Sequence, residues 1–363
     1  MLDWLYQLIG TMLYWFSSLF GGQYVFGLLL YALLFKLLFL PFSIKQQKNQ
    51  IKMATLTPKI ELIKAKYRGR TDQVTLQKQQ QEIMELQQKE GYNPMSGCLP
   101  LLLQMPIIIF LYNIIRNPIS YICQVSESGV RAITKLMLES GFSFSGNAVN
   151  LSNIDTIKLK SIDQIQLISA INNYGVENIS IEGVDLSRLP DLELFGTSLG
   201  NVPSINPFTW LAIIPVIAAV LTWLSMFLTR KWNANPATQP QDAQANASMK
   251  MMDLMMPAMT LFMAFGFSSL MGIYWIYQSA FGILQSFIIS KVMPLPKYSE
   301  EELKQMKKAQ KEAEKNAIST AKNAPKHRSL HYIDDDDYDT LPEVATDDKG
   351  GKKNSGNLDI NDI

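Results

Sequence analysis

Few residues in this chain have the types and spacing that chemistry needs, and the most conspicuous is Lys36. It stands near the middle of an apolar run from Tyr24 to Ile44 that carries no other charge. At 1.5 Å per residue such a run matches a bilayer core of roughly 30 Å. An ionisable group at that depth costs about 2.5–3.5 kcal/mol on insertion scales and marks a functional site by default. Two readings stay open: an ammonium in a water-filled internal cavity, or a lysine that snorkels to the headgroups where the bilayer thins. The basic flank lies about 12 Å away along the axis, farther than a lysine stem reaches, which makes full snorkelling awkward.

Other polar residues sit in similarly apolar surroundings. Gln104 lies between Pro100 and Pro106 in a second apolar run. Prolines and an amide inside a short span leave polar groups in need of partners, which is tolerated where helices line a cavity. Further along, Tyr274, Gln278 and Gln285 fall within about 40° of one another at 100° per residue, and Thr222, Ser225 and Thr229 share another helix face. Each stripe can be read as interhelical hydrogen bonding or as contact with a polar substrate.

The apolar runs contain no Ser/His pair, carboxylate pair or His-rich metal constellation, so neither catalytic residues nor a metal site are expected. No nucleotide or other cofactor is called for. His327 and His331 have the spacing of helical metal ligands, but they precede the acidic run Asp334–Asp337 in a polar tail that reads as disordered. Cys98 and Cys123 lie at opposite ends of one span, too far apart to form a disulfide, and read as packing residues.

The elements that must position these residues follow from the clustering of apolar and charged positions. The net charge of +1 over 363 residues hides strong segregation. Runs at 24–44, 98–115, 208–229, 254–268 and 271–292 predict an all-α membrane protein with five transmembrane helices. Residues 1–22 carry an apolar stripe with a 3.6-residue period, as in an amphipathic helix lying in the membrane interface. No basic stretch precedes it and no small-residue cleavage site follows, so no removable signal peptide is expected. Spans one and two (23–116) enclose residues 45–92, basic and rich in Gln, Lys and Glu, with a break at Arg68–Asp72; these predict a cytoplasmic helical hairpin.

Residues 117–206 are net acidic and should form an extracytoplasmic cap. Alternation in Ile154–Leu159 and Ile179–Glu182 suggests that the cap is partly β or irregular. Spans three to five occupy 207–293, and the methionines of span four, Met251 to Met263, read mostly as core packing. The tail, 294–363, opens with a basic helix around Lys304–Lys315. The amino terminus is expected outside and the carboxyl terminus in the cytoplasm.

The stretch Asn93-Pro94-Met95-Ser96-Gly97-Cys98-Leu99-Pro100-Leu101-Leu102-Leu103-Gln104-Met105-Pro106-Ile107 closely resembles the second-span signature of the YidC family of membrane-protein insertases. That family lies within the mitochondrial oxidase-assembly insertase superfamily, and the resemblance is to its short bacterial type. Met256-Pro257 and Gly272-Ile273-Tyr274-Trp275 resemble the openings of its fourth and fifth spans. The likeness covers about residues 20–116 and 190–293 and leaves out an acidic stretch from about 125 to 187.

The resemblance implies a non-enzymatic insertase and chaperone in the bacterial plasma membrane, acting on nascent membrane proteins through a hydrated, positively charged groove. The groove residues would be Lys36, Gln104, Thr222, Tyr274, Trp275, Gln278 and Gln285. Partners would be nascent chains, the lipid bilayer, the ribosome and the Sec translocon, with no role for DNA. Two departures stand out: Lys36 occupies the place of the family's usual arginine, and Phe267-Ser268-Ser269-Leu270 replaces a proline-containing turn. A small-solute or anion transporter using Lys36 as its site is the alternative. Five unequal spans without internal repeats speak against it.

Overall fold

The computed structural model describes residues 3–69, 72–93, 99–145, 149–233 and 243–323. Pro94–Cys98, most of the loop expected at 235–247, and the tail with His327, His331 and Asp334–Asp337 lie outside them. The chain divides into two compact units, Met1–Ile51 with Asn93–Leu295, and Lys52–Tyr92 with the segment from Pro296 onward.

The larger unit opens with α1 (Asp3–Ser18), followed by α2 (Tyr24–Leu38). Gly10, inside α1, sits against the Tyr121 backbone: a Cβ there would stand 2.1 Å from the Tyr121 carbonyl oxygen, so only glycine lets α1 approach so closely. α2 stops at Phe39, and the pair formed with α3 (Leu40–Lys66) is bent by 51°. Pro41 accounts for the break, since its ring clashes with the preceding turn and it has no N–H to donate.

α5 (Leu99–Arg116) leads into the cap, and beyond the cap come α9 (Ile213–Trp232), α10 (Ala243–Gly266) and α11 (Ser269–Val292). α9 packs most extensively against α11 and α10, while α2 packs against α1 and α11. An ion pair between Arg230 and Asp253 ties α9 to α10. α10 is peripheral, and Met251, Met255, Met256 and Met259 are exposed. The expectation that these methionines pack a core is therefore corrected: α10 meets the bundle chiefly through α9, with a slighter contact to α11, and these four methionines lie on its uncovered side.

By length and composition, among the described residues, one helix is long and apolar enough to cross a membrane. It is Trp210–Trp232, mean hydropathy 2.4; the bent α2–α3 pair would make a second if taken as one broken span. α5 and α10 contribute shorter apolar stretches, Leu102–Arg116 and Asp253–Gly266. α11 is long enough, but Tyr274, Gln278, Ser279, Gln285 and Ser286 dilute its hydropathy.

Of the two readings of the cap, partly β or irregular, the irregular one fits: most of it is turn and loop around three short helices, α6 (Pro118–Tyr121), α7 (Glu127–Glu139) and α8 (Gln164–Tyr174). Among the described residues its strand is confined to a small hairpin, β1 (Glu193–Leu194) with β2 (Thr197–Ser198). The alternation at Ile154–Leu159 gives no strand because Asn150 and Asn153 capture local backbone donors. The Ser152 amide bonds Asn150 Oδ1 at 3.1 Å, and the Asn150 amide bonds Asn153 Oδ1 at 2.9 Å. Such side-chain bonds offer the backbone a turn in place of a ladder. Ile154 and Ile162 then join Val130, Ile133, Met137 and Ile168 in the buried cap core.

In the smaller unit α3 continues to Lys66, α4 spans Gln73–Lys89, and α12 spans Glu300–Asn323. Asp72 caps α4, its side chain accepting from the Thr75 amide at 2.9 Å, in the turn where the sequence has Arg68–Asp72. Long polar side chains join the helices: Lys66 and Tyr67 donate to Glu82 at 2.8 and 2.6 Å, Lys59 pairs with Glu90 at 3.1 Å, and Arg68 pairs with Glu314.

Candidate functional site

The site is built where the end of α2 meets α5 and α11. Lys36, Gln104, Gln278 and Gln285 line one cavity of about 70 Å³, together with Phe35, Phe39, Phe42, Ser43 and Leu103. Four of the seven residues singled out from sequence thus come together. Gln278 and Gln285 are two turns apart on α11, and Lys36 of α2 comes up to the same face opposite Gly282, which lies between them. A Cβ on Gly282 would lie 3.6 Å from Lys36 Nζ and 3.5 Å from Ser225 Oγ.

Tyr274 closes the polar cluster. Its buried hydroxyl oxygen accepts from Gln104 Nε2 at 2.6 Å and from Gln278 Nε2 at 3.0 Å. These bonds fix both amides and link α5 to α11. Beside Lys36 runs an aromatic ladder on α2 and the start of α3. Tyr31–Phe35, Phe35–Phe39 and Phe39–Phe42 have ring centroids 4.6, 6.1 and 5.9 Å apart. Phe35, Phe39 and Phe42 of this ladder line the same cavity as Lys36, so the lysine has aromatic walls around it. Among the described residues no carboxylate pairs with Lys36. The arrangement can attract and hydrogen-bond a polar or anionic group while offering apolar walls.

Thr222 and Trp275 do not line this cavity. The Thr222 hydroxyl donates to the Ala218 carbonyl at 2.8 Å and lies 3.3 Å from Ser279 Oγ, in the α9–α11 seam. One heptad on, Thr229 donates to Ser286 at 3.1 Å. Trp275 packs edge-on against Phe267, with centroids 6.0 Å apart. Sequence reasoning missed the phenylalanines and Gly282; of the lining residues on α2 and α3, only Phe39 and Ser43 fall at i+3 and i+7 from Lys36, and the bend after Leu38 brings Phe42 in.

Outside the helical core, the Lys66–Tyr67–Glu82 cluster is the main electrostatic feature. Partial burial pushes the Glu82 carboxyl up, but hydrogen bonds from Lys66 and Tyr67 outweigh this and hold it below its usual range. Cys123 is free and buried, and loss of solvent pushes its thiol up to about 12. A reactive role for it has no support.

The family model described as 60Kd inner membrane protein matches residues 15–298. It runs through residues 125–187, which the resemblance of the motifs leaves out. Membrane protein insertase YidC 1 of Listeria monocytogenes serotype 4b is 31% identical over 276 residues, covering 76% of this chain and 67% of the relative. Membrane protein insertase YidC 2 of Bacillus anthracis is 26% identical, covering 77% of each chain. Membrane protein insertase MisCA of Bacillus subtilis is 28% identical, covering 75% of this chain and 72% of its own. The chain belongs to the YidC family of membrane protein insertases, bacterial membrane proteins that act as chaperones rather than enzymes.

Proposed function

We propose that this insertase works through the Lys36 cavity as a charged, hydrated intramembrane groove. It receives the polar part of a nascent segment while the segment's apolar part passes into lipid. A polar group moved into hydrocarbon without a partner costs several kcal/mol, and the groove lowers that cost by offering an ammonium and three amides. The observation that carries this reading is the convergence of Lys36, Gln104, Gln278 and Gln285 on one cavity with no carboxylate neutralising the lysine among the described residues.

In this reading α2, α5, α9, α10 and α11 are the five spans. Arg230 and Lys231 at the end of α9 and Lys291 at the end of α11 put those ends in the cytoplasm by the positive-inside rule, with the cap outside. The exposed lysines of α12, Lys304, Lys307, Lys308, Lys311 and Lys315, suit the phosphates of a ribosome.

The test is photocrosslinking in proteoliposomes during insertion of a short-tailed client without nucleotide. A photoreactive residue at Leu103 or Gln285 is expected to capture the nascent chain, and one at Ser279 in the α9–α11 seam is not. Equal capture from all three positions, or solute flux without insertion, overturns the groove.

A further inference from the structure

The last stretch of the cap, leading into α9, has more exposed apolar surface than its connecting role requires. Phe195 is 86% exposed, Phe208 69%, Ile205 67% and Val202 53%. Trp210, at the start of the helix that continues as α9, packs edge-on against Phe195, with centroids 5.9 Å apart, and donates its indole N–H to Thr197 Oγ1 at 2.9 Å. Patches of this kind on a folded surface mark a contact with something apolar.

The turn itself points the same way. Phe195 and Gly196 form a two-residue hairpin loop with φ of +51° and +70°. Positive φ at both loop residues is normally the province of Asn-Gly, and a bulky aromatic is an unfavourable choice at the first position. The fold keeps a phenylalanine there and aims it outward.

Its surroundings identify the contact. Three helices begin at this segment: the Tyr24 amide of α2 donates to Asp191 O at 3.1 Å, the Ser269 and Leu270 amides of α11 donate to Asn201 O and Leu199 O at 2.9 and 3.0 Å, and α9 follows directly from Trp210. The segment therefore forms the rim of the helical core. From Leu194 to Thr229 the chain carries no charged residue, although the spanning helix needs only the second half of that stretch.

We propose that the 194–210 rim is a lipid-inserted wedge. Phe195, Val202, Ile205 and Phe208 enter the headgroup–acyl boundary of the outer leaflet beside the openings of α2, α9 and α11, holding the cap down on the membrane. Aromatic side chains are enriched at that depth, where an apolar ring and nearby polar groups are both satisfied. The proposal rests on the reading of α9 as a span with the cap outside.

The experiment uses the full-length protein in vesicles, with Cys98 replaced by serine and the buried Cys123 retained. An environment-sensitive fluorophore is attached at Phe195→Cys or Phe208→Cys, with Ser152→Cys on the cap and Val220→Cys on α9 as references, and lipids carry nitroxides at shallow or deep acyl positions. The wedge requires blue-shifted emission at 195 and 208 and at least about twofold stronger quenching by shallow than by deep nitroxide, with Ser152 unquenched. If Val220 is quenched by deep nitroxide but 195 and 208 behave like Ser152, the wedge is overturned while the span stands. Blue-shifted emission that no lipid nitroxide quenches assigns the patch to a protein contact and also overturns it. An unquenched Val220 overturns the span and the wedge together.

Discussion

Helix α11 carries two polar stripes one residue apart, with opposite fates. Ser279 and Ser286 face α9, where Thr222 and Thr229 lie at matching heptad positions, and the hydroxyls meet across the seam at 3.3 and 3.1 Å. Gln278 and Gln285, turned about 100° away, face the cavity with Lys36 and Gln104. The first stripe is short side chains closed on one another by a neighbouring helix. The second is long amides around a charge, with aromatic rings rather than counter-ions for company. Polar residues in an apolar helix can thus glue helices or keep a groove polar, and what separates the two outcomes is whether each group's capacity is exhausted by its neighbours.

The sharpest way to break this contrast is to remove the charge. Lys36→Met is expected to lower insertion of clients with acidic translocated tails by about tenfold or more, equivalent to about 1.4 kcal/mol of barrier, and to affect wholly apolar clients much less. Lys36→Arg should retain activity, because it keeps the charge. Insertion assays at equal membrane abundance decide. A fully active Lys36→Met would make the lysine a snorkelling anchor, and removing it would then relieve an insertion penalty.

A second test acts through space instead of charge. Gly282→Leu would drive a side chain into the place shared by Lys36 Nζ and Ser225 Oγ, and insertion should fall several-fold. Gly282→Ala adds only a methyl at ordinary contact distance and should insert normally, with helix stability unchanged or raised by up to about 1 kcal/mol. If both variants insert equally well, the ammonium does not work from that position.

Between these effects and the seam stands Tyr274→Phe. It deletes the oxygen that accepts from Gln104 and Gln278. Leaving enclosed amides without a partner costs about 1–3 kcal/mol, so thermal unfolding in detergent should come earlier, and the α5–α11 link should loosen before charge attraction is lost.

How much of this was legible in the sequence depends on how local each cause is. α3 and α4 flank the break that Arg68–Asp72 announces, because cap chemistry acts within one turn, whereas the run 24–44 reads as one span and hides the bend that Pro41 introduces after Leu38. The Gln278 and Gln285 stripe was legible from period alone. What period could not supply was the neighbour: Thr222 shares a face with Ser225 and Thr229, and only the packing of α9 on α11 sends Thr222 to the seam while leaving Ser225 beside Lys36. Trp275 likewise turns to Phe267. In the cap the sequence left β and irregular structure open, and the irregular one prevails at Ile154–Leu159, since asparagine side chains there bond the backbone locally.

The seam gives the smallest expected effect and the strictest control. Ser279→Ala combined with Ser286→Ala removes both α11 hydroxyls, but Thr222 still donates to the Ala218 carbonyl, so that threonine keeps a partner. Interhelical hydrogen bonds of this kind average about 0.6 kcal/mol each in membrane proteins, and the double variant should lose only about 1 kcal/mol of stability with insertion of acidic-tailed clients unchanged. The paired variant Thr222→Val with Thr229→Val, which preserves shape, should behave the same way, because it empties the seam from the other side. If either pair depressed insertion as Lys36→Met does at equal abundance, the seam would be part of the client path, and the division of α11 into a closed stripe and an open one would fail.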